Sequence, residues 1–150
     1  MFDKIVTISL NPALDVTIWL TTMDFAEPNK AAREEVYAGG KSVNISRVMT
    51  SLGMPAKALG LCGKENAGRF LKLLEQDGVS SDFVRLEGAT RENLTIVIPD
   101  KRVLKINRAG FPVSIEGMKQ LRTRVEDEIR EDGKVLLIFA GSLPANLTPE

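Results

Sequence analysis

Three short apolar runs, separated by segments with helical periodicity, constrain the fold of this chain more than any other feature of its sequence. The runs are KIVTISL (Lys4 to Leu10), AKALGLC (56–62) and KVLLIFAG (134–141). Each has the length and the nearly continuous apolar character of a strand that is buried on both faces of a parallel sheet. Strands that alternate with helices predict βαβ units and an α/β fold.

Three segments repeat apolar residues at the spacing of one helix face. The predicted buried faces are Ile45, Val48, Met49 and Leu52; Ala67, Phe70, Leu71 and Leu74; and Met118, Leu121, Val125 and Ile129. Because glycine commonly ends a helix, we expect the three helices to end at Gly53, Gly78 and Gly133. Ser114 is a good N-cap for the third helix.

The remaining β-rich segments are more polar and predict a smaller second sheet beside the main one. They are LDVTIWL (Leu14 to Leu20), AREEVYA (Ala32 to Ala38), NLTIVIP (93–99) and RVLKIN (102–107). The last two flank Asp100 and Lys101, an arrangement that predicts a β-hairpin. DFVRLEG (82–88) predicts one further short strand, and the whole chain is expected to form one domain.

The composition excludes several classes of function. With 43% hydrophobic residues, and 20 basic residues that balance 20 acidic ones, the chain is typical of a globular protein without a nucleic-acid or membrane surface. No apolar run approaches the roughly 20 residues of a membrane span and no secretory signal opens the sequence, which predicts a cytoplasmic location. The absence of histidine excludes a histidine metal site and a His-based triad. The single cysteine, Cys62, lies in an apolar run and is predicted to be a buried structural thiol.

The segment YAGGKSVNISRV places two glycines, a lysine and an asparagine at the start of the first predicted helix. A P-loop is not supported, because its first glycine position is occupied by Glu35, whose charge would repel a polyphosphate. Gly39 and Gly40 would let a ligand approach the backbone at the helix start, where unpaired N–H groups bind polar ligands. Asn44 would bind hydroxyl groups, and Lys41 would attract an anionic group of the same ligand. The alternative is that the glycines only permit a tight turn and Lys41 points to solvent.

Two further residues extend this candidate polyol site. Asp15 follows the first buried strand, near the carboxyl edge where open α/β sheets bind ligands, and could accept hydrogen bonds from two sugar hydroxyls. Arg91 precedes a strand and could bind phosphate oxygens through its guanidinium fork. Taken singly, each is equally compatible with a solvated loop residue.

Five motifs occur in a characteristic order along the chain. They are TISLNPALD (Thr7 to Asp15), AGGKSVNISRVMTSLG (Ala38 to Gly53), LGLCGKENAG (Leu59 to Gly68), TREN (Thr90 to Asn93) and AGSLP (Ala140 to Pro144). Together they resemble the ribokinase-like sugar kinases, and within these the phosphofructokinase B group. The segment INRAGFPVS (106–114) is more similar to the 1-phosphofructokinases of that group than to its tagatose-6-phosphate kinases.

This resemblance implies a three-layer αβα core with a parallel sheet, and a small β-sheet lid formed by residues 14–38 and 93–107. It also implies an ATP- and Mg²⁺-dependent phosphotransferase that acts on a sugar phosphate, with fructose 1-phosphate as the expected acceptor. The positions that match the family's acceptor site are Asp15, Gly39, Gly40, Lys41, Asn44 and Arg91. Lys105 is a further candidate cation, and the packing of lids between subunits in the family implies a homodimer.

The sequence departs from the family pattern in two places. Ser42 stands where a glycine commonly follows the lysine, which could tighten the loop or add a hydroxyl contact. The family's Gly-Ala-Gly-Asp segment, which supplies an anion hole and the catalytic base, does not occur in this chain. No catalytic, nucleotide-binding or metal-binding residue is therefore predicted here, and the chain is expected to be the N-terminal half of a kinase. The helix-start pattern at Thr148 to Glu150 supports that expectation, because no helix follows it.

Three alternatives to this function remain open at this stage. The chain could derive from a tagatose-6-phosphate kinase, or from a ribokinase-type kinase for free sugars or nucleosides. It could also be a non-catalytic module that binds a sugar phosphate or mediates dimerisation.

Overall fold

The computed structural model describes residues 2–130 and 133–148 of the chain. Every strand and helix expected from the sequence within these ranges is present. The elements are β1 (Lys4–Ser9), β2 (Ala13–Leu20), β3 (Ala31–Gly39), α1 (Lys41–Ser51), β4 (Ala56–Gly63), α2 (Ala67–Gln76), β5 (Ser80–Leu86), β6 (Arg91–Val97), β7 (Val103–Asn107), α3 (Ile115–Arg130) and β8 (Val135–Phe139).

The main sheet contains four parallel strands in the order β5, β4, β1, β8. Helices α1 and α2 pack on one face of this sheet, and α3 packs on the other. The predicted three-layer αβα core with a parallel sheet is therefore confirmed.

Alternation along the strands divides the core into two apolar clusters. On β4, Leu59 and Leu61 belong to the cluster beneath α3, whereas Cys62 belongs to the cluster beneath α1 and α2. The latter cluster contains Phe70, whose ring packs edge-on against Phe83 with centroids 5.1 Å apart. Because both faces of the strands are covered, the strands have the nearly continuous apolar character seen in the sequence.

The thiol of Cys62 is a core group, as predicted. Its side chain is buried, and burial raises the pKa of the thiol to about 11, against the opposing effect of the nearby Arg85 and Arg124 cations. The thiol therefore stays protonated at neutral pH, in which form it is a poor nucleophile.

The predicted buried face of α1 was wrong at Val48 and Leu52, whereas Ile45 and Met49 are half-buried. Val48 and Leu52 are 52% and 67% exposed, and the buried residues of the helix are Ser42, Val43 and Ser46. Small side chains let this helix approach β1 closely, and their hydroxyls are satisfied there: Ser46 Oγ lies 2.8 Å from the hydroxyl of Thr7. Hydrogen bonding by buried serines has thus overridden the apolar periodicity on which the prediction rested.

The buried face of α3 was predicted correctly except at its last turn. Ser114 caps the helix by accepting from the Gly117 N–H at 3.0 Å, and the apolar residues up to Val125 pack on the sheet. Ile129 is 49% exposed, whereas Glu128 is buried and forms ion pairs with lysines of the sheet. Gly133 was the predicted end of this helix. It directly follows residues 131 and 132, which lie outside the described residues.

Two predictions concern the end of the chain. Strand β8 was expected to be buried, but its residues are half-buried or exposed, because β8 is an edge strand of the four-stranded sheet. The predicted helix start at Thr148 to Glu150 extends beyond the description of the chain, since Pro149 and Glu150 lie outside the described residues.

The second sheet contains β3, β2, β6 and β7 in that order. Strand β2 runs antiparallel to β3 and parallel to β6, and β6 and β7 form the predicted hairpin, with Lys101 in its turn at φ 66°. The register places Asp15, Asn93 and Asn107 in one row of the sheet. The neighbouring rows, Val16–Leu94–Ile106 and Ile18–Ile96–Leu104, project from the opposite face. The polar Asp15 row thus lies on one face of the second sheet, and these two apolar rows lie on the other.

In the described part of the chain, no helix is both long enough and apolar enough to span a membrane.

Candidate acceptor site

A cleft of about 450 Å³ lies where the second sheet meets the carboxyl edge of the main sheet. It is enclosed by the segments after β1 and β8, the start of α1 and the polar face of the second sheet. The lining residues are Asn11, Asp15, Gly40, Lys41, Asn44, Arg91, Asn93, Asn107, Gly141 and Ser142. This location agrees with the general rule that open α/β sheets bind ligands at the carboxyl ends of their strands.

The entrance of α1 forms one wall of the cleft. Strand β3 ends at Gly39, and Gly40 turns the chain into the helix with a φ of 114°, a conformation that residues with a Cβ rarely adopt. No side chain caps this helix start and its first turn contains no acidic residue. The free N–H groups and the positive end of the helix dipole therefore remain available to a ligand.

The carboxylate of Asp15 is held at the floor of the cleft by two neighbours. Its Oδ1 atom accepts a hydrogen bond from Asn93 Nδ2 at 3.0 Å. On its other side lies Gly39, where an added Cβ would be only 2.0 Å from Oδ2. The described side chains provide no hydrogen-bond donor to Oδ2, so this oxygen can accept from a ligand hydroxyl.

Arg91 joins the two segments that close the cleft on the side of the main sheet. Its Nη2 atom donates to the carbonyl of Asn11 at 3.2 Å and to the hydroxyl of Ser142 at 3.3 Å, and its Nε atom lies 3.4 Å from the carbonyl of Pro12. Asn11 Nδ2 also donates to Ser142 Oγ, at 3.2 Å. These bonds leave Nη1 without a protein acceptor among the described residues, so this nitrogen can donate to an anionic ligand.

The charged groups of the cleft sum to a positive value. Lys41 is exposed at the helix start and forms no salt bridge within the described ranges. With Arg91, it outweighs the single carboxylate of Asp15 among the lining residues. A ligand that combines hydroxyl groups with a phosphate, which carries a charge of about −1.5 to −2 at neutral pH, complements this arrangement.

The structure brings the six predicted site residues together. Five of them line the cleft, and the sixth, Gly39, lies directly against the carboxylate of Asp15. Lys105, the further candidate cation, is exposed on β7 two residues before Asn107 and does not line the cleft. Ser42 is completely buried, and its Oγ lies 2.6 Å from the carbonyl oxygens of both Ile8 and Ala140, so it tightens the helix entrance rather than contacting a ligand.

Sequence reasoning did not single out the other five lining residues. These are Asn11, Asn93, Asn107, Gly141 and Ser142. Asn11 and Asn93 occur inside the motifs SLNPALD and TREN, and Asn11 follows the end of a predicted strand, so both carried a usable signal. Asn107 became a candidate only when the register placed it in the same row as Asp15 and Asn93.

A parallel open sheet with a second sheet across its carboxyl edge defines the chain as an α/β protein with a cleft between its two sheets. The chain belongs to the pfkB family of carbohydrate kinases, whose pattern it matches over residues 8–147. It is 33% identical to a 1-phosphofructokinase of Vibrio cholerae over 150 residues, which is 100% of this chain and 47% of that protein. It is 29% identical to a 1-phosphofructokinase of Escherichia coli over 151 residues, again 47% of the relative.

A solved structure shows the same fold. The phosphofructokinase-2 of Escherichia coli, crystallised in complex with fructose-6-phosphate, superposes with a TM-score of 0.86 at 23% identity. The match covers 99% of this chain and 48% of that protein. The chain thus spans about half the length of the relatives that it matches.

Proposed function

We propose that this chain is the acceptor-binding part of an ATP-dependent phosphosugar kinase, and that the acceptor is fructose 1-phosphate. The observation that carries the proposal is the clustering of Asp15, Lys41, Asn44 and Arg91 around one cleft beneath the second sheet. In this proposal, residues 1–150 are the N-terminal portion of a ribokinase-like kinase domain. The second sheet is its lid, formed from about residues 14–38 and 93–107.

Each group of the cleft has a chemical role in this proposal. Asp15 accepts hydrogen bonds from sugar hydroxyls, and the amide of Asn44 binds a neighbouring oxygen. Gly39 and Gly40 let the sugar approach the backbone at the start of α1. Lys41 and Arg91 bind the phosphate that the acceptor already carries. The residues of this chain thus orient the acceptor, and exclude water beneath the lid, before phosphoryl transfer.

ATP and Mg²⁺ belong to the proposal for the complete enzyme. A bound Mg²⁺–ATP would supply the transferred phosphoryl group and neutralise its developing charge. This chain contains no Gly-Ala-Gly-Asp segment, which is the part that the family resemblance implies for the anion hole and the catalytic base. We therefore assign no catalytic residue, and no step that involves the nucleotide, to this chain.

Loss of either phosphate-binding cation is expected to weaken acceptor binding selectively. Each charge-assisted hydrogen bond contributes about 1.5–3 kcal/mol, so Lys41→Ala should weaken fructose 1-phosphate binding by about tenfold to a hundredfold. Asp15→Ala should weaken binding of the sugar phosphate and of the free sugar alike. The dissociation constants are measured by calorimetry with fructose 1-phosphate and fructose, on the protein expressed from its complete reading frame.

Lys101→Ala is the matched control, because this lysine lies in the exposed β6–β7 turn and does not line the cleft. Its affinity for fructose 1-phosphate should equal that of the unchanged protein. Equal affinities for fructose and fructose 1-phosphate would contradict the phosphate assignment and favour a kinase for free sugars. Tighter binding of tagatose 6-phosphate, or of ribose or adenosine, would identify the corresponding alternative kinase. Binding without ATP-dependent turnover by the complete product would identify a non-catalytic module.

The apolar face of the second sheet supports a proposal about assembly. Leu104 and Ile106 on this face are 49% and 41% exposed, although they continue the apolar rows of β2 and β6. Paired apolar rows at a sheet surface are a common interaction surface. We propose that two copies of the protein pack these faces together as a homodimer.

Leu104→Glu is expected to shift the protein from dimer to monomer, because it places a charge at the centre of the proposed interface. Val103→Glu is the control: Val103 is 50% exposed on the same strand but projects from the opposite face. Sedimentation velocity measures the mass of each variant. A monomeric unchanged protein, or two variants with the same mass distribution, would contradict this interface.

A further inference from the structure

Arg47 lies one helical turn beyond Asn44 and holds the acceptor site from outside the cleft. Its guanidinium Nη1 donates to Asn44 Oδ1 at 2.7 Å, and its Nε donates to Asp77 Oδ2 at 2.8 Å. Its Nη2 donates to the carbonyl oxygen of Ala38. Arg47 is not among the lining residues of the cleft, and its side chain is 29% exposed.

The bond from Arg47 Nη1 determines which way the Asn44 amide faces, and the other two bonds hold the guanidinium in place. The amide has one oxygen acceptor and one NH₂ donor, and Arg47 occupies the oxygen. The NH₂ group is then the part of Asn44 that remains for the cleft, so Asn44 acts on a ligand as a donor. Asp15 on the opposite side is an acceptor, so the two side chains offer complementary roles to adjacent ligand oxygens.

The same guanidinium also fixes the turn that carries the two glycines. Ala38 immediately precedes Gly39, and its carbonyl is bonded to α1 through Arg47. Asp77, just after α2, accepts a hydrogen bond from Arg47 Nε and so fixes the guanidinium on a second side. Because the guanidinium is a rigid planar fork, one side chain keeps strand β3, the start of α1 and the end of α2 in a constant relation.

We propose that Arg47 is a positioning residue of the acceptor site, which holds Asn44 as a hydrogen-bond donor and anchors the Gly39–Gly40 turn. As far as the ligand is concerned, this inference rests on the proposed function. The arrangement itself is a property of the protein alone and can be tested without a ligand.

Replacement of Arg47 tests the effect on binding. In the protein expressed from its complete reading frame, Arg47→Met should weaken fructose 1-phosphate binding by about tenfold, the value of one well-oriented hydrogen bond. Arg47→Lys keeps the charge but not the planar fork, so its affinity for fructose 1-phosphate should lie between that of the unchanged protein and that of Arg47→Met. Arg69→Met is the control, since Arg69 is 50% exposed on α2 and makes only long ion pairs, 3.6 Å and 3.9 Å, with acidic residues of the second sheet.

A double-substitution cycle separates positioning from general stability. If Arg47 acts in part through Asn44, the double variant Arg47→Met/Asn44→Ala should lose less affinity for fructose 1-phosphate than the sum of the two single losses. Fully additive losses would overturn the proposal. A lowered melting temperature with unchanged affinity would also overturn it, because it would show a purely structural role.

The ligand-free protein supplies an independent measurement. In NMR spectra, the side-chain NH₂ signals of Asn44 should be displaced from those of a solvent-exposed asparagine, and they should move toward the solvent-exposed values in Arg47→Met and Arg47→Lys. Unchanged signals in both variants would overturn the proposal. If the unchanged protein fails to bind fructose 1-phosphate, the proposed function is wrong, and the amide signals still decide whether Arg47 positions Asn44.

Discussion

Gly39→Ala is expected to lower the affinity for fructose 1-phosphate by about a hundredfold or more. The added Cβ would lie 2.0 Å from Oδ2 and 2.5 Å from Cγ of Asp15, far inside van der Waals contact. The carboxylate must therefore rotate away, which breaks its bond with Asn93 and removes it from the sugar hydroxyls. Two lost charge-assisted hydrogen bonds, at about 1.5–3 kcal/mol each, account for a loss of about 10²–10⁴ in affinity.

The protein itself should still fold, because the group in the way is the movable end of a side chain. Calorimetric titration measures the affinity, and thermal unfolding checks the fold. Gly68→Ala is the control: its Cβ would meet nothing within 4 Å on α2, so binding should be unchanged. This control should also gain about 0.5–1 kcal/mol of stability from the better helix propensity of alanine.

The effect of Gly39→Ala on affinity can also be measured in the Asp15→Ala variant. In Asp15→Ala, the carboxylate is absent, so the further change Gly39→Ala should cost little additional affinity. Normal binding of fructose 1-phosphate by Gly39→Ala would show that Asp15 does not contact the acceptor from its present position. A large extra loss in the Asp15→Ala background would show that Gly39 acts through the backbone instead.

Glu128→Gln is expected to lower the free energy of unfolding by about 2 kcal/mol or more at pH 7. Glu128 is only 5% exposed and forms ion pairs with Lys4 from β1 and Lys57 from β4. Glu128→Gln removes the negative charge that both lysines share at a buried position, which is costly because buried ion pairs are strongly destabilised by the loss of one member. The partial exposure of both lysines, 24% and 29%, moderates the penalty, which is why the expected value lies below that of a fully buried pair.

The pH dependence of this effect has a defined sign. Burial would raise the pKa of Glu128, but the hydrogen bonds and charges of Lys4 and Lys57 outweigh it and hold the pKa below its ordinary value of 4.5. A carboxylate with a depressed pKa stabilises the fold above its unfolded pKa, and this contribution is lost as the pH falls through the folded pKa. The difference between the unchanged protein and Glu128→Gln should therefore be largest at neutral pH and shrink below about pH 4.

Urea unfolding at a series of pH values measures this difference. Glu126→Gln on the same helix is the control, since Glu126 forms only solvent-exposed ion pairs with Arg122 and Arg130 and should contribute little. A difference for Glu128→Gln that stays constant down to pH 3 would show that the carboxylate acts by packing rather than by charge.

Only some of the residues that line the cleft could be predicted from the sequence. Asp15, the glycine turn, Lys41, Asn44 and Arg91 became candidates because each was predicted to lie near a strand or helix end, where ligands bind in open α/β sheets. These local patterns were weak one by one, and the resemblance to a kinase family joined them into one predicted site. The other lining residues come from segments that are far apart in sequence, and Arg47 had no local signal, since a helical arginine is usually a solvated residue.

The errors in the fold have a common physical origin. Apolar periodicity placed Val48 and Leu52 in the core, but the buried serines of α1 find hydrogen-bond partners on β1 that only the folded chain provides. On α3, the same reasoning chose Ile129 over Glu128, because the two lysines that neutralise Glu128 come from strands more than 70 positions away. A hydrophobic pattern contains no information about polar partners that lie on distant elements of the chain.

The sequence by itself determined the alternation of strands and helices, the parallel sheet, the hairpin at Lys101 and the glycine turn that opens the first helix. Local periodicity, turn residues and helix-end chemistry are encoded within a few positions of each other, so they can be read directly. Only the tertiary structure decided that Asn93 holds Asp15, that Arg47 orients Asn44 and that one face of the second sheet is apolar. Those relations depend on strand register and on contacts across the chain, which no local pattern specifies.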